Sequence, residues 1–330
     1  MPIITVSSLS KTYRIPRREP GLRGAVSNLL FPRSTLLPAI QDLDFTIEAG
    51  EVVAYLGPNG AGKSTTIKLL TGILTPSAGR VEVLGLEPYS KRIENARNIG
   101  VVFGQRSQLR WDLPVIESFE LHRRLYGLSA SFYRDQMDLF SSTLDLGGQL
   151  GKSARSLSLG QKMLCNIALS LLHRPPIIYL DEPTIGLDIV IKEKIRDFFV
   201  HLNREHGVSI VLTSHDLEDV EKLCERVMVI DKGRILFDGG LEELRGIYGK
   251  TRIMTLELAD SPRGLDGLHD VTEVDRQGNR IRVQFDGSQL STTRLITEIA
   301  AHNEVRDVVI QEQEIGTIVR RLYQERAAAD

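Results

Sequence analysis

The chain has 330 residues, 42% of them hydrophobic, with 41 lysines and arginines against 43 aspartates and glutamates and a formal net charge of −2. That balance excludes a generally basic nucleic-acid binder, and the length suffices for two domains at a typical size of about 150 residues. No apolar run approaches the roughly 18 residues of a membrane span, and the two cysteines, Cys165 and Cys224, show neither disulfide-scaffold nor zinc spacing.

The first residues, Met1-Pro2-Ile3-Ile4-Thr5-Val6, carry no secretory pattern, so a cytosolic, disulfide-free chain is expected. Short strands are predicted at 3–6 and 44–47. Between them, residues 14–38 hold five arginines (Arg14, Arg17, Arg18, Arg23, Arg33) against Glu19, a local charge of +4. Leu22, Val26, Leu29, Leu30 and Phe31 add an apolar stripe, so the segment reads as short, basic and amphipathic. Buried strands are predicted at 52–56, 101–103, 177–180 and 209–213, and a sheet edge at 80–84. Helical periodicity falls at 63–70, 115–126, 131–144, 158–172 and 190–205. Strands alternating with helices imply a mainly parallel sheet with helices on its faces, beside a small antiparallel layer. After Asp238 the texture changes to strands at 252–258, 271–275 and 281–285, a helix at 289–301, a strand at 305–310 and a helix at 314–325. Arg276-Gln277-Gly278-Asn279 is a hairpin signal, and the order suggests a ferredoxin-like α+β appendage.

Three motifs carry chemistry. Gly57-Pro58-Asn59-Gly60-Ala61-Gly62-Lys63-Ser64, followed by Thr65, fits G-x-x-x-x-G-K-[ST] between a strand and a helix. Its glycines let the backbone wrap a polyphosphate at a helix amino terminus; Lys63 would reach the β and γ phosphates and the Ser64 hydroxyl a magnesium ion. Ile177-Ile178-Tyr179-Leu180-Asp181-Glu182 delivers two acids at a strand's carboxyl end, where open α/β sheets place ligands. Asp181 can meet the magnesium shell and Glu182 can deprotonate an attacking water. Leu157-Ser158-Leu159-Gly160-Gln161 opens a long helical segment, with Ser158 a good helix cap.

In combination these motifs resemble the ATP-binding cassette (ABC) ATPases, whose signature is L-S-G-G-Q; Leu159 departs from the usual glycine. The resemblance covers about residues 3–238 and implies an α/β P-loop NTPase with an antiparallel β subdomain and a helical subdomain at about 106–172. Residues 239–330 would form the accessory α+β domain. It implies two copies sandwiching two ATP molecules with Mg2+, each γ phosphate meeting Ser158, Gly160 and Gln161 of the opposite copy. Tyr13 resembles the aromatic that stacks on adenine. Gln105 resembles the glutamine that touches magnesium and water, Asp188 the acid that meets the opposite subunit, and His215 the histidine that bonds the γ phosphate. With the 14–38 segment, the Trp111-Asp112-Leu113-Pro114 stretch and the appendage, the chain looks like the ATPase of an ABC-2-type exporter with separately encoded permease subunits. Residues 14–38 then either touch the permease or anionic lipid headgroups, or form a solvated loop. An importer ATPase is the first alternative. A soluble ABC ATPase for DNA repair or translation is the second, disfavoured because tandem cassettes, coiled-coil insertions and cysteine pairs are absent and −2 suits no nucleic-acid partner.

Overall fold

Apolar runs broken by glycine turns build two sheets within the first unit of the chain. A computed structural model describes residues 1–16, 34–104, 106–214, 216–263, 268 and 270–329. They divide into two units, Met1–Asp238 and Gly239–Asp330.

In the first unit, β1 (Pro2–Pro16) lies between β2 (Ser34–Glu48) and β4 (Ala78–Val83), antiparallel to both. The larger sheet has the order β5 (Ile99–Phe103), β6 (Ile177–Asp181), β7 (Ser209–Thr213), β3 (Val52–Leu56), β8 (Arg226–Asp231), β9 (Arg234–Gly240). Its first five strands are parallel. β9 returns through Lys232-Gly233, whose φ values of 45° and 77° suit a two-residue hairpin of the primed type. Helices α1 (Lys63–Leu70), α2 (Arg92–Asn98), α3 (Val115–Leu125), α4 (Ala130–Leu144), α5 (Leu159–Leu171), α6 (Ile189–His206) and α7 (Leu217–Leu223) complete the unit. Ile4, Leu9 and Ile47 of the small sheet pack with Val53, Tyr55 and Tyr179 of the large one, and Ile67, Leu69 and Leu70 of α1 join the same core. Full burial of each such side chain is worth about 1.5–3 kcal/mol.

The second unit adds α8 (Leu241–Tyr248), β10 (Thr251–Leu258), β11 (Val271–Gln277), β12 (Arg280–Asp286), α9 (Thr292–Ala300), β13 (Val305–Glu312) and α10 (Ile315–Ala329). Its sheet runs β11-β12-β10-β13 with neighbours antiparallel, the strand order of a ferredoxin-like domain. Gly278, with φ 60°, turns the β11–β12 hairpin. Met254, Leu256, Ile281, Val283, Phe285 and Leu295 form a separate core.

Two expectations need correction. Arg14–Pro16 and 34–38 are not part of an amphipathic segment: they extend β1 and β2 into a ribbon in register through Pro16↔Ser34. Arg17, Arg18, Glu19, Leu22, Arg23, Val26, Leu29, Leu30, Phe31 and Arg33 lie outside the described residues. Between 213 and 252 and again at 92–98, where no element is expected, the structure places α7, β8, β9 and α8, and α2. Cys165 and Cys224 are separate buried thiols. Among the described residues no helix is long and apolar enough to cross a membrane.

Candidate nucleotide-binding site

β3 ends at Leu56 and the chain wraps through Gly57–Gly62 before α1 starts at Lys63. The glycines are required by close packing as well as conformation. A Cβ on Gly57 would lie 2.6 Å from the Ile230 carbonyl oxygen, and Gly62, at φ 115°, would place one 2.8 Å from that of Ala39. The loop is fixed by hydrogen bonds from the Ala61 amide to the Pro58 carbonyl (3.1 Å) and from the Gly233 amide to the Ala61 carbonyl (2.9 Å). No side chain caps α1, so its first amides remain available to an anion. Lys63 is 6% exposed. Its Nζ donates to the Gly57 carbonyl at 2.5 Å and that of Pro58 at 3.2 Å, so the ammonium is held inside the loop. Burial lowers its pKa, opposed by the charges of Glu182 and Asp181.

The acids stand directly behind this loop. Ser64 Oγ donates to the Asp181 carboxylate, 3.0 Å from Oδ2 and 3.2 Å from Oδ1. Thr213 Oγ1, at the end of the neighbouring strand β7, donates to Asp181 Oδ1 at 2.8 Å. The Glu182 amide donates to the Thr213 carbonyl (3.0 Å), which fixes the backbone where the second acid emerges. Glu182 has φ 55°, the left-handed region that a residue with a Cβ enters only at a cost. Gly104 closes against both acids: its amide donates to the Asp181 carbonyl at 2.8 Å, and a Cβ there would lie 2.3 Å from the Glu182 carbonyl oxygen. Past Glu182 the chain is braced by Thr184 Oγ1, which donates to the fully buried Asp219, itself bound to buried Arg196 Nε at 2.6 Å.

Tyr13 reaches the loop from β1, its Oη 3.5 Å from Thr65 Oγ1. Ser158, Gly160 and Gln161 belong to α5. Ser158 caps it, Oγ accepting from the Gln161 amide at 3.2 Å, while Gln161 Oε1 accepts from the Ser158 amide at 3.1 Å. The Ser158 hydroxyl keeps its proton for a further acceptor. Asp188 caps α6, accepting from the Ile191 amide at 3.0 Å. The two helix starts touch: a Cβ on Gly160 would be 3.0 Å from Ile191 Cγ1, and one on Gly186 would be 3.4 Å from Leu159 Cδ2. Leu159 is 52% exposed. The structure therefore gathers Tyr13, the phosphate loop and the two acids in one place, and the signature residues with Asp188 in another. Gln105 and His215 lie outside the described residues.

Sequence reasoning missed Thr213, Arg196 and Asp219. A hydroxyl at the last position of a predicted strand was the available signal for Thr213; Arg196 and Asp219 meet only through the fold. Trp111 is 58% exposed, with Lys162 Nζ 4.8 Å from its ring centre.

The family described as ABC transporter matches residues 40–185. The ABC transporter ATP-binding protein NatA of Bacillus subtilis is 34% identical over 212 residues, covering 64% of this chain and 86% of the relative. The methionine import ATP-binding protein MetN of Caulobacter vibrioides is 35% identical, covering 63% of each chain. The daunorubicin resistance ATP-binding protein DrrA3 of Streptomyces coeruleorubidus is 34% identical, covering 65% of this chain and 67% of that one. Among solved structures, the ATP-binding cassette MJ0796, a dimer bound to ADP and Pi after hydrolysis, is 26% identical with a TM-score of 0.60, covering 72% of this chain and 98% of the cassette. CbiO1 of Clostridium perfringens, part of the ABC transporter complex cbiONQ, is 28% identical with a TM-score of 0.60, covering 74% of this chain and 91% of its own.

Proposed function

Since the chain belongs to the ABC transporter ATP-binding family, whose members are ATPases, we propose that Gly57, Pro58, Asn59, Gly60, Ala61 and Gly62 wrap the phosphates of ATP while Lys63 exchanges its two carbonyl partners for phosphate oxygens. The first-turn hydroxyl of Thr65 and the stacking ring of Tyr13 hold the rest of the nucleotide. The Ser64 hydroxyl and the Asp181 carboxylate are hard oxygen donors of the kind magnesium prefers, and an ion held by Ser64 with Asp181 behind it would neutralise phosphate charge. Glu182 takes the proton of the water that attacks the γ phosphorus. Gln105 and His215 complete the water and γ-phosphate contacts. Ser158, Gly160, Gln161 and Asp188 act on the nucleotide of a second copy, so that ATP glues a homodimer and its hydrolysis releases it.

The observation that carries this reading is the hydrogen-bond chain Thr213–Asp181–Ser64, which holds one acid against the phosphate loop and leaves Glu182 beside it. The test is Glu182→Gln, which is expected to abolish ATP turnover, retain ATP and accumulate dimers in size-exclusion chromatography with ATP. Normal turnover in that variant would remove Glu182 as the base.

The dimer works at the cytoplasmic face of a membrane through separately encoded permease subunits, most consistently as an ABC-2-type exporter. Exposed Trp111 and Leu113 supply apolar contact for a membrane partner, and residues 14–38 supply positive charge toward anionic headgroups. The likeness to DrrA3 supports export, and that to MetN supports the importer alternative. Copurifying the permease and following ATP-driven transport in inside-out vesicles discriminates: accumulation means export. Copurification with nucleic acid instead of a membrane protein would favour a soluble factor.

A further inference from the structure

Residues 106–110 follow β5 without regular secondary structure, yet three successive amides are each taken by a side-chain oxygen. The Gln108 amide donates to Asn166 Oδ1 at 2.8 Å, that of Leu109 to Ser107 Oγ at 3.2 Å and that of Arg110 to Ser118 Oγ at 3.0 Å. Such a segment is a stiff strap and not a free loop. Asn166 sits on α5 among buried Met163, Cys165, Ile167 and Ala168, and is itself 5% exposed. An amide is expensive there unless fully bonded, and Asn is a poor helix former. Its Nδ2 donates at 2.9 Å to the carbonyl of Lys162, which directly follows Gln161, and Ser107 Oγ lies 3.3 Å from both of its polar atoms. The same residue also ties the strap to the sheet: Gln108 Nε2 donates to the Val101 carbonyl of β5 at 2.6 Å. Val101 pairs with Tyr179 of β6, two residues before Asp181.

We propose that Asn166 and Gln108 are positioning residues that link the first turn of α5 in series to the sheet edge beside the catalytic acids, so that movement of the signature helix is felt at Asp181 and Glu182. The proposal rests on the reading of α5 as the helix that meets the second copy's ATP. The path runs Lys162–Asn166–Gln108–Val101 through neutral hydrogen bonds, with Ser107 bonded to Asn166 beside it, and it fails when either the Asn166 or the Gln108 side chain is removed.

The test is steady-state ATP hydrolysis by the full chain, with Asn166→Ala, the near-isosteric Gln108→Glu and the double variant. Gln108 is exposed, so its variant folds even if Asn166→Ala does not. Gln108→Glu, which removes one donor, is expected to lower kcat about three- to tenfold, the weight of one hydrogen bond, and Asn166→Ala, which removes several, by at least as much, with KM for ATP unchanged in both. The double variant should fall no further than the worse single one, because the path is already broken. An unchanged kcat for Gln108→Glu, a raised KM, or losses that multiply in the double variant would overturn the strap. Absence of hydrolysis in the parent chain, or ATP binding undiminished by Lys63→Ala, would instead overturn the functional reading on which it rests.

Discussion

Glu182 is placed by a backbone conformation that its side chain opposes, and the cost can be measured by comparing Glu182→Ala with Glu182→Gly. Both remove the carboxylate and every contact it makes, so their difference isolates the backbone at φ 55°. A residue with a Cβ costs about 1–2 kcal/mol in the left-handed region, whereas glycine adopts it freely. Against that, glycine gives up about 0.4–1 kcal/mol through the greater freedom of the unfolded chain. The glycine variant is therefore expected to be more stable than the alanine variant by about 0.5–1 kcal/mol, or about 1–4 °C in Tm for a unit of this size. Thermal unfolding of the nucleotide-free chain, followed by circular dichroism, measures it, and ATP turnover should be absent in both. An alanine variant as stable as the glycine variant would refute the idea that conformational energy is stored at Glu182.

Gly160→Asp should leave ATP binding intact and cut hydrolysis about a hundredfold or more by facing the second copy's γ phosphate with a carboxylate. Gly160→Ala, which crowds Ile191 without the charge, serves as the control, and undiminished hydrolysis by the aspartate variant would refute the sandwich. Replacing residues 17–33 by Asn-Gly, which suits the Pro16↔Ser34 register, should spare basal ATPase activity and weaken assembly with the permease. Unchanged assembly would remove residues 17–33 as a permease contact. Burial pushes the His173 pKa down to about 4, against an opposing hydrogen bond to the Ile99 carbonyl. The native state then binds fewer protons than the unfolded state, whose histidine titrates near 6.5. Its contribution to stability is complete above about pH 6.5 and lost as pH falls toward 4. The urea midpoint of His173→Gln should fall less over that range than that of the parent chain, and equal slopes would refute the assignment.

The phosphate loop and the acid pair were legible in the sequence because their chemistry demands contiguous residue types, a strand before and a helix after. Ser158 was legible as a cap for the same reason, since it acts on an amide three residues away, whereas Asp188 was read only as the acid that meets the opposite copy and its cap on α6 emerged from the structure. Thr213, Asn166, Arg196 and Asp219 were not, because each finds its partner across the fold, where no local spacing records it. α2 was missed because Arg-Ile-Glu-Asn-Ala-Arg-Asn presents no apolar face, its one buried residue being Asn95. The ribbon ends of β1 and β2 were missed because Ile15, Leu36 and Leu37 are exposed there, so no buried face imposes the two-residue period.

The contact between the starts of α5 and α6 has a kinetic consequence. Gly160 lies against Ile191, and Leu159 against Gly186, so the capped ends bearing Ser158 and Asp188 form one block. On the proposed reading, everything one copy offers its mate is carried on that block, and it engages or releases as a whole. Dimer formation would then rise sigmoidally with nucleotide, without a long-lived half-docked species, and the motor would advance in steps of a single size.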